Sequence, residues 1–339
     1  MKKALITGVS GQDGSYLAKY LLDLNYTVYG AVRRSSNINY ERFNFFSLLT
    51  HKNFFLIELD LTDLLSIQSF FRDHIVDEVY NLAAQSFVSL SFSQPHLTTQ
   101  VNSLGTLNLL ESIRNSSKKD VRFYQASTSE MFGLVQEVPQ TEKTQFYPRS
   151  PYGISKLFAH WLTINYRESY DMFNVSGILF NHESPLRGHE FVTRKITNTV
   201  AKIVKGKTNK LVLGNLNANR DWGFAGDYVK VMHLMLQHSK PEDFVIATNV
   251  TSSVRDFVTI AFNAVDIDIY FDGTEKNEKG IDRKTGNILV EVSDQYYRPA
   301  EVDLLLGDST KAEKLLRWKP STPLNELVKM MVNYDLSIV

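Results

Sequence analysis

Residues 2–24 read KKALITGVSGQDGSYLAKYLLDL, and this stretch decides the fold. The apolar run Ala4 to Thr7 has the length and bulk of a buried strand, and from Ser15 to Leu24 the apolar residues recur at helical spacing. Between them lies Gly8-Val-Ser-Gly11-Gln-Asp-Gly14. Glycines at a strand-to-helix turn allow the tight bend, let the backbone approach a pyrophosphate and let helix and strand pack closely, with the helix N-terminus facing the anion. An ordinary turn is the competing reading. The position of the loop, between an N-terminal strand and a helix, favours a bound nicotinamide dinucleotide cradled by Gly8, Ser10, Gly11, Gln12, Asp13 and Gly14.

Outward from this stretch the alternation repeats. Strand-like runs at Thr27 to Val32, Phe54 to Ile57, Glu78 to Leu82, Arg122 to Gln125 and Val175 to Leu179 are separated by helical patterns at Leu64 to His74, Leu97 to Arg114 and Tyr152 to Ser169. Short apolar strands between helices predict an α/β fold: a doubly wound parallel (Rossmann-type) sheet, covered on both faces, with right-handed crossovers. Beyond Asn181 the pattern loosens into a helix at Val192 to Lys205, a strand at Leu211 to Leu213 and a helix at Tyr228 to His238, read as a smaller C-terminal lobe. The expected division is 1–180 for the dinucleotide and the catalytic residues and 181–339 mainly for the substrate, with the chain free to cross back to the sheet. The polar segment Thr274 to Asn287 reads as a surface loop.

Composition excludes several function classes. At 339 residues the chain holds about two structural units with a sizeable core. Its 37 basic and 37 acidic side chains leave no net charge, which argues against a nucleic-acid groove or a polybasic membrane arm and leaves a local anion pocket open. Without cysteine there is no disulfide framework, thiolate zinc site or cysteine nucleophile. The apolar run after Lys3 is too short for a signal-peptide core, and no run of about 18 apolar residues predicts a membrane span, so the cytoplasm is expected.

Strand two ends at Val32 and is followed by Arg33, Arg34, Ser35 and Ser36. A site for NAD places an acidic residue there on the ribose diol, whereas guanidiniums and hydroxyls suit the 2′-phosphate of NADP; a solvated arginine pair is the plainer alternative. Asp60 and Leu61 after strand three form the candidate adenine contact, unless Asp60 only caps a helix. Tyr152 and Lys156, four apart at a helix start, share one face. An ammonium beside a phenol is expected to lower the phenol's pKa and make it a proton acceptor for an alcohol. Upstream, Ser127-Thr128-Ser129-Glu130 closes a strand. Thr128 can bind the oxygen that Tyr152 deprotonates. Glu130 is either a surface charge or a base for a carbon-bound proton, which hydride transfer alone does not require. His182 and Glu183 are two adjacent ligand types without a third, so no metal is expected.

The glycine loop and the Tyr-x-x-x-Lys pair resemble those of the extended short-chain dehydrogenase/reductases. Gly11-Gln-Asp-Gly-Ser-Tyr16, Asn81-Leu-Ala-Ala-Gln-Ser86, Phe123-Tyr-Gln-Ala-Ser-Thr-Ser-Glu130, Tyr147-Pro-Arg-Ser-Pro-Tyr152, Phe180-Asn-His-Glu-Ser-Pro185, Arg220-Asp-Trp-Gly223 and Arg298-Pro-Ala-Glu-Val-Asp303 narrow the resemblance to the GDP-mannose 4,6-dehydratase family over nearly the whole chain. Phe87, Leu97, Phe224 and Gly226 depart from the usual pattern and leave the catalytic set untouched. The resemblance implies a GDP-sugar substrate, GDP-mannose foremost, oxidised at C4, dehydrated across C5 and C6 and given back a hydride at C6, with tightly bound NADP not consumed. It implies a catalytic set of Thr128, Glu130, Tyr152 and Lys156. It adds Leu82, Ala83, Ala84, Gln85, Ser86, His182 and Arg187 to the cofactor contacts. It places Ser86, Asn181, Arg187, Lys195, Arg220, Arg298 and Glu301 at the substrate. A homodimer or homotetramer is also implied, with the loop after Arg34 near a neighbour's cofactor. The alternatives are another GDP-hexose or GDP-heptose as substrate, or a nucleotide-sugar epimerase or reductase of the same superfamily. The presence of all four catalytic residue types argues against a non-enzymatic dinucleotide sensor.

Overall fold

The first half of the chain forms β1 (Lys3–Thr7), β2 (Thr27–Val32), β3 (Phe54–Glu58), β4 (Glu78–Asn81), β5 (Arg122–Thr128) and β6 (Asn174–Leu179). The second half adds β7 (Asn181–Glu183), β8 (Leu211–Leu213), β9 (Asn219–Arg220), β10 (Trp222–Phe224) and β11 (Phe244–Ile246). It continues with β12 (Ser252–Ser253), β13 (Ile269–Asp272), β14 (Lys279–Asp282) and β15 (Ile288–Val292). The computed structural model describes residues 1–36, 40–296 and 305–339, so Arg298 and Glu301 of the expected substrate set lie outside the described residues.

Seven strands make one all-parallel sheet in the order β11-β6-β5-β4-β1-β2-β3. The chain winds outward in both directions from the β1–β4 boundary, and in such sheets ligands bind beyond the carboxyl ends of the strands at that switch point. Side-chain alternation in β1 explains the two layers. Ala4 and Ile6 join the core under the helices Gln12–Asp23 and Ala225–Gln237, while Leu5 faces the opposite core with Ile67, Leu109 and Phe123. Each fully buried leucine or isoleucine contributes roughly 1.5–3 kcal/mol.

After β6 the chain leaves the sheet, returns in the helix Ala225–Gln237 and β11, and later packs the helix Thr310–Leu316 against β11. The remaining elements form a second core in which the helices Val192–Val204, Val254–Asn263 and Leu324–Ile338 cover β8 and β13–β15. The expectation of a loop over Thr274 to Asn287 is overturned. This segment contains β14, paired antiparallel with β13 and β15, and Glu278 is buried against Arg255 at 2.7 Å. An inner strand of four residues, Lys-Gly-Ile-Asp, reads as a loop because its charged ends and its glycine hide the alternation. A Cβ on Gly280 would stand 2.8 Å from the Val290 side chain, which is why glycine interrupts the strand.

The expected helix from Leu97 to Arg114 is an α-helix at Pro95–Thr99, a π turn at Gln100–Leu104 and an α-helix at Gly105–Arg114. The π turn aims Asn102 at the backbone of Gln85 and the hydroxyl of Ser155. Among the described residues no helix is long and apolar enough to cross a membrane.

Candidate active site

The carboxyl ends of β1, β4, β5 and β6 open onto one cleft with a volume of about 1310 Å³. Its floor is the glycine loop. Gly8 has φ +69°, and a Cβ there would lie 2.8 Å from the Ala83 backbone. A Cβ on Gly14 would stand 2.6 Å from the Val9 Cα and would run into the Gly8 carbonyl. Both positions therefore need glycine, one for its backbone angle and one for close helix–strand packing. The helix Gln12–Asp23 starts at Gly11 without a side-chain cap, so its first N–H groups stay available to an anion in the cleft. Thr7 fixes the opposite wall: its hydroxyl donates to Asn81 at 2.8 Å and accepts from the N–H groups of Leu82 and Ala83, both at 3.1 Å.

Asp13 and His182 join the loop to β7. The His182 Nε2 lies 2.8 Å from the Asp13 carboxylate, its Nδ1 lies 2.7 Å from the Phe180 carbonyl, and its ring stacks on Tyr228. With an acceptor at each nitrogen the ring is built to hold two protons. Burial alone would push the Asp13 carboxyl up, but His182, Gln12 and Arg187 together bring it down to about 2. Burial disfavours the imidazolium, and Asp13 with the Phe180 carbonyl outweighs it, so the His182 pKa is raised.

Thr128 ends β5 and caps the short turn Ser129–Met131 that carries Glu130. Ser150 caps the helix Pro151–Tyr170 by accepting from the Gly153 N–H at 3.0 Å, which sets Tyr152 and Lys156 in its first turns. Both are buried, at 8% and 4% exposure. Burial pushes the Tyr152 phenol up to about 12; Thr128 opposes the rise and Glu130 adds to it. Burial pulls Lys156 down to about 8. The expected depression of the phenol by its lysine neighbour is thus overturned: burial is the largest influence on Tyr152, and Lys156 is not among the groups that oppose it.

Of the expected site residues within the described regions, all line the cleft except Arg34. Arg34 is exposed and turns away to Glu58 at 3.2 Å, while Arg33 stays in the cleft wall. Asp60 accepts from the Thr62 N–H and hydroxyl at 2.9 and 2.8 Å; the helix that follows is capped by Asp63 instead. At the substrate end, Arg187 stacks 3.6 Å from the Phe191 ring centroid with its Nε 3.1 Å from Glu183. Lys195 sits 3.3 Å from the Tyr296 ring centroid, and Arg220 donates to the Asn219 carbonyl at 2.9 Å. Sequence reading missed Arg42, Glu190, Phe191 and Tyr296, which also line the cleft. None of them stands in a recognisable motif. Among the described residues no group of three His, Asp or Glu could hold a metal.

Comparison with known proteins agrees from end to end. The family described as GDP-mannose 4,6 dehydratase matches residues 5–331. A GDP-mannose 4,6-dehydratase of Sinorhizobium fredii is 51% identical over 99% of this chain and 97% of its own. The Homo sapiens protein of that name is 50% identical over 99% of this chain and 92% of its own. Among solved structures, the dTDP-glucose 4,6-dehydratase DesIV of Streptomyces venezuelae, with NAD and TYD bound, superposes with a TM-score of 0.82 at 20% identity, covering 98% of this chain and 96% of that one. RMD from Pseudomonas aeruginosa, complexed with NADPH, gives 0.79 at 21% identity over the full length of both chains. These distant likenesses speak for the fold. The family match and the half-identical relatives speak for more: the chain belongs to the GDP-mannose 4,6-dehydratase family.

Proposed function

We propose that this chain is a hydro-lyase that converts GDP-D-mannose to GDP-4-keto-6-deoxy-D-mannose and water. The observation that carries the reading is that Thr128, Glu130, Tyr152 and Lys156 line the same cleft as the glycine cradle. The cradle fits a dinucleotide, since Cβ atoms at Gly8 and Gly14 would fill it and the helix N-terminus faces it. NADP, when bound, supplies a hydride acceptor for C4 and a hydride donor for C6, so it is not consumed. Its holders would be residues 8–14, Asp60, Leu61, residues 82–86, Lys156, His182 and Arg187. The choice of NADP over NAD rests on Arg33 in the cleft wall where an acid would otherwise stand.

The protein's own groups divide the proton work. Tyr152 takes the C4 hydroxyl proton while Thr128 holds that oxygen in place. Tyr152 can do so only as the phenolate, and burial, which pushes the phenol up to about 12, makes that form scarce, so the phenolate needs a cation beside it. Lys156, with a pKa of about 8, is mostly protonated at neutral pH and stands one turn along the same helix face. Once C4 is a ketone, C5 becomes acidic, and Glu130 removes that proton as water leaves C6. Asn181, Arg187, Lys195 and Arg220 serve the diphosphate and sugar end, completed by Arg298 and Glu301. Residues 1–180 carry the dinucleotide and the chemistry, and 181–339 mainly the nucleotide sugar. A cytoplasmic homodimer or homotetramer belongs to the same reading. Incubation with GDP-mannose tests it: a product lighter by one water, with no net change in cofactor, is expected, whereas stoichiometric cofactor turnover would make it a reductase.

A further inference from the structure

The turn that presents Arg187 is gripped by its carbonyls. Its own backbone closes through Arg187 N–H to the Ser184 carbonyl at 3.0 Å and Leu186 N–H to the Ser184 hydroxyl at 3.1 Å. Three successive carbonyls then accept from two guanidiniums. Arg194 donates to the carbonyls of Pro185 and, at 3.0 Å, of Arg187. Arg42 Nε donates to the Leu186 carbonyl at 2.9 Å, between them in sequence. The same Arg42 reaches the glycine loop, where Nη1 donates to the Ser10 carbonyl at 3.0 Å.

The Arg194 guanidinium is anchored in its turn. Arg194 is 1% exposed, and its charge is met by the fully buried Asp335 in the C-terminal helix, at 2.8 and 2.9 Å. Asp335 also accepts from Thr197 at 2.7 Å and Asn198 at 3.3 Å. Arg42 follows Glu41, which accepts from the Tyr334 hydroxyl at 3.0 Å, one residue before Asp335. A planar fork with several fixed donors can serve two carbonyls at once, whereas a lysine presents one compact charge.

We propose that Arg42 and Arg194 form a carbonyl clamp whose function is to position Arg187, and that Arg42 makes the glycine loop and the Arg187 turn set each other's geometry. Both are positioning residues. The proposal rests on the reading of Arg187 as a ligand contact, and it gives the end of the C-terminal helix a part in the cleft through Asp335. Arg42 is the arm to test, because it is only partly buried and its removal strands no buried charge, unlike a change at Asp335.

The experiment is a double-mutant cycle on the full chain, with NADPH affinity read by fluorescence and the KM for GDP-mannose read separately. Arg42→Ala should weaken NADPH binding roughly tenfold, the loss showing in affinity and KM more than in kcat. Arg187→Ala should do at least as much, and the double variant should lose clearly less than the product of the two single losses, since one of the two carbonyls that Arg42 holds acts through Arg187. Arg42→Lys should resemble Arg42→Ala. Losses that multiply in the double variant, or full rescue by lysine, would overturn the clamp. A protein that binds NADPH and never turns over GDP-mannose would count against the dehydratase reading, and the NADPH cycle would still decide on the clamp.

Discussion

Glu78 at one end of the seven-stranded sheet and the Tyr152–Lys156 pair at the other are all buried ionisable groups, and the fold treats them in opposite ways. At the amino end Glu78, with no exposed surface, accepts hydrogen bonds from Lys2 and Gln237 at 2.9 Å, Tyr26 at 3.1 Å and Tyr80 at 2.8 Å. Burial would raise its pKa, but these donors outweigh burial and hold it below the ordinary value. At the carboxyl end Tyr152 and Lys156 are buried nearly as deeply, and although the Asp13 carboxylate opposes the fall at Lys156, burial sets the direction of both shifts. A satisfied polar network stabilises the fold. A pair left in tension is what a reaction site needs, because its charges are settled only as chemistry proceeds.

The contrast predicts which variants break catalysis and which break the fold. Tyr152→Phe should lower turnover by about 10² to 10⁴-fold while leaving the melting temperature unchanged or higher. Glu78→Gln should do the reverse, costing about 3 kcal/mol in denaturant unfolding with turnover of the folded enzyme intact. A drop in turnover under conditions where Glu78→Gln is folded would erase the division between the two ends.

Within the cleft itself the arginines sharpen the comparison. Arg33→Ala should cost about 1.5–3 kcal/mol of NADPH affinity and little of NADH affinity, as expected for a lost charge-assisted contact. Arg34→Ala, whose guanidinium turns to Glu58, should cost much less by the same titration. Equal weakening of both dinucleotides by Arg33→Ala would remove the assignment to the 2′-phosphate.

The smallest effect is a slope of stability against pH. Native Lys156 gives up its proton near pH 8, while an unfolded lysine keeps it to about 10.5, so between these values the unfolded state binds more protons. Stability should therefore rise with pH across that window, and Lys156→Met should flatten this contribution in denaturant melts taken at several pH values. An identical slope in the variant would show that the buried ammonium is not strained.

Much of the site was legible because it is local. The strand, glycine loop and helix of residues 3–23 are contiguous, and Tyr152 and Lys156 are one helical turn apart, so period and spacing place them. The strand β11 was not legible: three apolar residues, Phe244–Ile246, carry no period and join the sheet only through long-range pairing with β6. Arg42, Arg194 and Asp335 were hidden for a related reason. Their partners lie far away along the chain, and nothing in the neighbouring residues marks a charge destined for burial. The raised phenol of Tyr152 escaped because spacing reveals a neighbour's charge and does not reveal the depth of burial that opposes it.

The central claim is that Glu130 turns an oxidation into a dehydration, and single-turnover reaction of Glu130→Gln with GDP-mannose in heavy water tests it most directly. Glutamine keeps the shape of the side chain and removes its basicity. The predicted result is oxidation at C4 with the 4-keto sugar accumulating, no deuterium entering C5, and formation of the dehydrated product slowed by about 10² to 10⁴-fold. Deuterium at C5 and loss of water at the wild-type rate in Glu130→Gln would contradict it and would assign removal of the C5 proton to another group.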